Sequence, residues 1–169
     1  MELGLLLLRL LLSALIFGHG AQKLFGWFGG LGPDGTAPLF EGWGFRPGRT
    51  LVVLAALSEI TAAVLLAFGV LTPLGAAIAF GTMLVAASVN CSKGLWAQAG
   101  GYELPLVYAG IAAAIAFIGP GGWSVDHLIL HLSFSGVAWG AAAVAAGLGA
   151  AACLIGYAAR NRAPARSAV

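Results

Sequence analysis

Apolar residues run in long stretches along this chain, and clusters of glycine, proline and charge separate the runs. Five stretches approach the ~20 residues an α-helix needs to cross a bilayer: roughly 3–23, 50–69, 73–89, 104–118 and 134–157. They are Leu- and Ala-rich and lack the alternation of outer-membrane strands, so the pattern predicts helices. The third and fourth are short, which implies tilt or local thinning of the bilayer. Residues 24–49 are rich in glycine and proline and are predicted as a loop. Its aromatics Phe25, Trp27, Phe28, Phe40 and Trp43 suit the headgroup zone. A tight turn is expected at 69–72, closed by Pro73, and residues 119–133 end in a short amphipathic stretch. The last run carries Gly136-x-x-x-Gly140, a small-residue pattern that permits close helix approach.

Composition strengthens this picture. Apolar residues make up 60% of the 169 positions, charged residues 8%, and mean hydropathy is +0.97. A soluble domain carries about 25% charge because water must solvate its surface. In lipid, by contrast, each backbone polar group must be satisfied within its own element. The expected fold is therefore an all-α membrane protein. A four-transmembrane-helix bundle core with its first loop (24–49) fills residues 1–133. A fifth, C-terminal transmembrane helix takes 134–159, and a basic tail takes 160–169.

The first run is too long for a signal peptide core, and Arg9 lies inside it. A net charge of +2 gives no footprint for nucleic acid, and Cys91 and Cys153 form no C-x-x-C. With five spans, Lys23, Arg46, Arg49, Lys93, Arg160, Arg162 and Arg166 fall on one side. The positive-inside rule then expects the tail in the cytoplasm and the N-terminus outside.

The ionisable residues within the runs carry the candidate chemistry, because a charge at bilayer depth costs at least ~2.5–3.5 kcal/mol unless paired or hydrated. Glu59 sits near the middle of the second run, and Arg9 lies about 9 Å into the first. An outer cluster of Arg9, Glu59 and Asp126 is expected, either as a packing ion pair or as a functional group. A protonated Glu59 without a partner is the third option. At the other end His19, Gln22, Lys23, Asn90 and Glu103 should gather. Lys23 can snorkel there, Glu103 can cap a helix, and the neutral imidazole of His19 can exchange protons or hydrogen-bond a carbonyl. His127 and His131 have a spacing that places both on one helical face, but no third metal ligand is evident.

The stretch Arg9-x(10)-Gly20-x-x-Lys23-Leu24-Phe25-Gly26 resembles the opening of the DoxX family of membrane proteins. Glu59, Gly69, Leu71-Thr72-Pro73-Leu74 and Met83 continue the pattern, as do Glu103 and Gly119-Pro120-Gly121-x-x-Ser124-x-Asp126. The resemblance implies a four-helix core in a prokaryotic cytoplasmic membrane, with relatives tied to thiosulfate:quinone oxidoreductase and to thiol-stress complexes. It implies a quinone as cofactor and soluble or membrane redox subunits as partners. On that reading Glu59, Arg9 and Glu103 are the expected catalytic groups, and His19, Lys23, Gln22 and Asp126 the expected quinone-binding ones. No flavin, nicotinamide, haem-attachment or iron–sulfur pattern is present, so a partner subunit or a bound quinone would have to carry the electrons. Two other readings stay open: a scaffold that recruits redox proteins through the first loop and residues 160–166, and a small-solute channel lined by Arg9 and Glu59. Association of the chain with itself is open as well.

Overall fold

The computed structural model describes residues 2–162, and every regular element among them is helical. In chain order these are α1 (Glu2–Phe25), α2 (Gly32–Gly42), α3 (Gly48–Phe68), α4 (Thr72–Asn90), α5 (Glu103–Ile118), α6 (Val125–Leu128) and α7 (Val137–Asn161). Two short 3-10 turns, Cys91–Lys93 and Ala97–Ala99, join α4 to α5. Among the described residues α1, α3, α4 and α7 are long and apolar enough to cross a membrane. The 16 residues of α5 extend only about 24 Å, short of the ~30 Å hydrocarbon core. The five predicted runs thus coincide with α1, α3, α4, α5 and α7.

Local chemistry explains the boundaries. Gly69 stops α3 in the left-handed region at φ +63°, which costs glycine nothing, and Pro73 opens α4 where a missing N–H is harmless. α1 packs along α3, α3 along α4, and α4 along both α5 and α7. Leu12, Ile16, Leu66, Met83 and Ile115 meet in a core floored by alanines such as Ala62, Ala79 and Ala112. In lipid no hydrophobic drive favours helix pairing, so small residues that let backbones approach do most of the holding. Gly147 of α7 illustrates this: a Cβ there would lie 2.7 Å from the Ala77 carbonyl oxygen. Outward-facing Leu7, Leu57, Phe68 and Leu148 are about half exposed, as a lipid-facing surface requires.

Two sequence expectations need correction. Residues 24–49 are not all loop, because α2 forms inside them despite Pro33 and Pro38. Tertiary contacts override its poor propensity. The Phe40 ring lies 5.6 Å from Trp43 and 5.7 Å from Phe45, and the Glu41 carboxylate accepts the Gly48 N–H at 3.1 Å. Phe25, Trp27 and Phe28 are exposed as expected, whereas Phe40 and Trp43 turn into the protein. His127 and His131 do not share a helical face either, since α6 ends at Leu128 and His131 takes φ +53°.

Candidate functional site

The buried charges form two separate assemblies, one at each end of the bundle. At the first, the Arg9 guanidinium fans out across backbone carbonyls. Its Nε donates to Leu66 O at 2.9 Å, and its terminal nitrogens donate to Ala67 O and Trp123 O, each at 3.2 Å, and to Pro120 O. The Leu66 and Ala67 carbonyls belong to the last turn of α3, where helical partners run out, although Leu66 O also accepts the Gly69 N–H at 3.2 Å. Asp126 does the complementary work for α4. Its carboxylate accepts the N–H groups of Leu71 and Thr72 at 2.8 and 2.9 Å and the Thr72 hydroxyl at 2.8 Å. A cation thus closes one helix end and an anion opens the next, as the helix dipole favours. Arg9 and Asp126 are essentially sealed from outside, at 1% and 0% exposure.

Gly69 sits inside this junction. A Cβ there would lie 2.6 Å from the Ser124 Cβ and 2.9 Å from Arg9 Cζ, besides straining the left-handed backbone. Gly69→Ala should therefore cost about 2–4 kcal/mol, and thermal unfolding in detergent should register it as a lowered Tm.

The expected Arg9–Glu59 pairing is not found. Along α3, Glu59 is seven residues from Leu66, about 10 Å at helical rise, while Gly20 of α1 packs level with Ala56 and Glu59. That antiparallel register gives Glu59 a different partner. Lys23 Nζ contacts both carboxylate oxygens of Glu59 at 2.7 Å, with Glu59 3% exposed. Lys23 does not simply snorkel into the headgroups; it turns inward.

The Lys23–Glu59 pair stands in the wall of a cavity of about 660 Å³. α1, α3, α4 and α5 enclose it, with Leu154 of α7 and the aromatics Phe40, Trp43 and Phe45 completing the wall. Most of the lining is apolar. Ser58, Thr82 and Asn90 also face it but give their donors to Leu54 O, Ile78 O and Ala86 O of their own helices. His19 and Tyr108 differ. Their rings lie 6.1 Å apart in the cavity wall and make no side-chain hydrogen bond to a described residue.

Of the other sequence candidates, Gln22 donates to Phe28 O at 3.3 Å and holds the chain after α1. Glu103 accepts the Ala97 N–H at 2.9 Å and holds the turn before α5. Neither lines the cavity. Among the described residues no group of three His, Cys, Asp or Glu could hold a metal. Sequence reasoning missed Tyr108, which lies within an apolar run where a tyrosine reads as core. Its polar tip, unpaired on a helix facing His19, is visible only in three dimensions.

The family model for DoxX matches residues 4–90, just over half of the chain. The chain belongs to the DoxX family. No curated protein and no solved structure matches it. The DoxX match spans α1 to α4 and so includes Arg9, Lys23 and Glu59. Tyr108, Asp126 and α7 lie outside the residues it covers. With its apolar helices, membership makes this a multi-pass membrane protein.

Proposed function

We propose that the protein is the membrane subunit of a quinone-linked redox system, and that the cavity beside Lys23–Glu59 receives the quinone headgroup. One observation carries this reading: His19 and Tyr108 offer free hydrogen-bonding tips inside a largely apolar cavity, next to a buried and neutralised ion pair. A lining whose charges cancel favours a neutral ligand. Its volume falls within the 300–1,000 Å³ range of small-molecule sites, and its polar groups are few and convergent.

A bound quinone would supply two-electron, two-proton chemistry, with electrons delivered by a partner subunit. The residues then divide the remaining work. His19 and Tyr108 hold the two carbonyl oxygens by donating hydrogen bonds. Lys23 and Glu59 move protons, since their contact allows a proton to pass between amine and carboxylate, and Lys23 is about a quarter exposed. The apolar wall of Phe40, Trp43 and Phe45 packs the ring and limits water. Lys23, Arg46, Arg49 and Lys93 lie at or just beyond the same end of the helices, and Arg160 and Arg162 close α7 there. By the positive-inside rule that end faces the cytoplasm, as in a prokaryotic inner membrane. The rest of the basic tail, with Arg166, lies outside the described residues.

The test is extraction. Protein purified from membranes in mild detergent should release quinone into organic solvent. Tyr108→Phe and His19→Gln should each weaken binding of a short-chain quinone about three- to tenfold, the worth of one hydrogen bond, with unchanged Tm. No quinone in the extract and no binding of added quinone would reject the reading. Co-purifying redox proteins in that same preparation would favour the scaffold instead.

A further inference from the structure

The aromatic wall of the cavity is held from two sides, by α2 within the residues the family model covers and by α7 beyond them. Trp43 and Phe45 belong to the segment between α2 and α3, and the cytoplasm-side end of α7 grips that segment at three points. The Tyr157 hydroxyl donates to Arg46 O, and Arg162 Nε donates to Trp43 O at 2.9 Å. Between these bonds Gly44, at φ +94°, lies so tightly under α7 that a Cβ would collide with the Ala158 carbonyl. One turn earlier Leu154 enters the cavity lining itself. On the α2 side the Phe45 N–H donates to Phe40 O at 2.9 Å and the Gly48 N–H to the Glu41 carboxylate at 3.1 Å, which fixes the start and end of the segment, while the exposed Arg49–Asp34 pair adds little.

We propose that Tyr157 and Arg162 are positioning residues for the ligand site: by clamping residues 43–46 to α7 they set how tightly the Trp43–Phe45 wall closes on the bound headgroup. α7 is thereby part of the site and not an accessory span. The inference rests on the quinone reading for its ligand, but the clamp itself is measurable without one.

The experiment uses the full chain with its two free, exposed cysteines removed (Cys91→Ala, Cys153→Ala) and Ser58→Cys introduced in the cavity wall. Two readouts are taken with and without Tyr157→Phe and Arg162→Ala: the labelling rate of position 58 by a water-soluble maleimide, and the affinity for a short-chain quinone. Loosening the clamp should raise labelling about tenfold and weaken quinone binding by about the same factor, as expected for two lost hydrogen bonds. Tyr157→Phe alone, which keeps the ring, should give an intermediate change in a protein of unaltered helix content. Unchanged labelling in the double variant overturns the clamp, whatever the quinone does. Faster labelling in a protein that never binds quinone upholds the clamp and rejects the ligand.

Discussion

Arg9→Met should prevent the protein from accumulating in membranes, or leave it unfolded by at least about 4 kcal/mol. The side chain is of similar length and fully apolar, so insertion into the bilayer becomes easier. What is lost is the donor set that reaches the carbonyls of Leu66, Ala67, Pro120 and Trp123. A hydrogen bond to a charged group contributes roughly 1.5–3 kcal/mol, and each buried acceptor left unpaired costs about 1–3 kcal/mol. Against a total stability of about 5–15 kcal/mol, that loss is decisive. Arg9→Lys keeps the charge but offers a point donor where a planar fork spans several oxygens, so it should recover only part of the loss. Chemical unfolding in micelles measures both. A methionine variant with the parent's midpoint would show that the junction does not hold the helix ends together.

The second large effect is at the ion pair, where stability and function should separate. Lys23→Met leaves the buried Glu59 carboxylate without its partner, at about 3–5 kcal/mol, and Glu59→Leu, which leaves only the quarter-exposed Lys23 amine, should cost less. The double variant removes both, and such replacements are often neutral or stabilising by about 1–4 kcal/mol. The double variant is therefore expected to fold as well as the parent. Any quinone-linked activity should be abolished in it, because no carboxylate or amine remains in that wall to move a proton. Unfolding midpoints and reconstituted quinone reduction would be compared across all four proteins. A stable double variant with full activity would reduce Lys23–Glu59 to a packing element.

Much of this molecule is legible in the order of its residues. Solvent preference is a property of each side chain, so fourteen charges among long Leu/Ala runs require lipid outside the helices whatever their arrangement. The α3–α4 turn is local in part: Gly69 supplies a left-handed residue and Pro73 a helix start, while Leu71, at φ +45°, is bonded by the distant Asp126. The residues of interest were also visible one by one, because an ionisable group inside an apolar run stands out against its energetic cost.

What the sequence could not assign was partnership. Whether Glu59 meets Arg9 or Lys23 depends on the axial register of α1 against α3, and a shift of two turns exchanges one partner for the other. That register is set by close packing at Gly20, not by the charges. The helix at Gly32–Gly42 forms where propensity opposes it, because the half-buried Phe40 packs against the buried Phe45. Tyr108 gains a role only when α5 brings it beside His19, and α7 reaches the cavity wall only through the fold. Composition alone therefore determined the membrane and the list of polar residues within it. Tertiary structure decided which of them close helix ends and which face the cavity, because pairing depends on distances between helices that no single segment encodes.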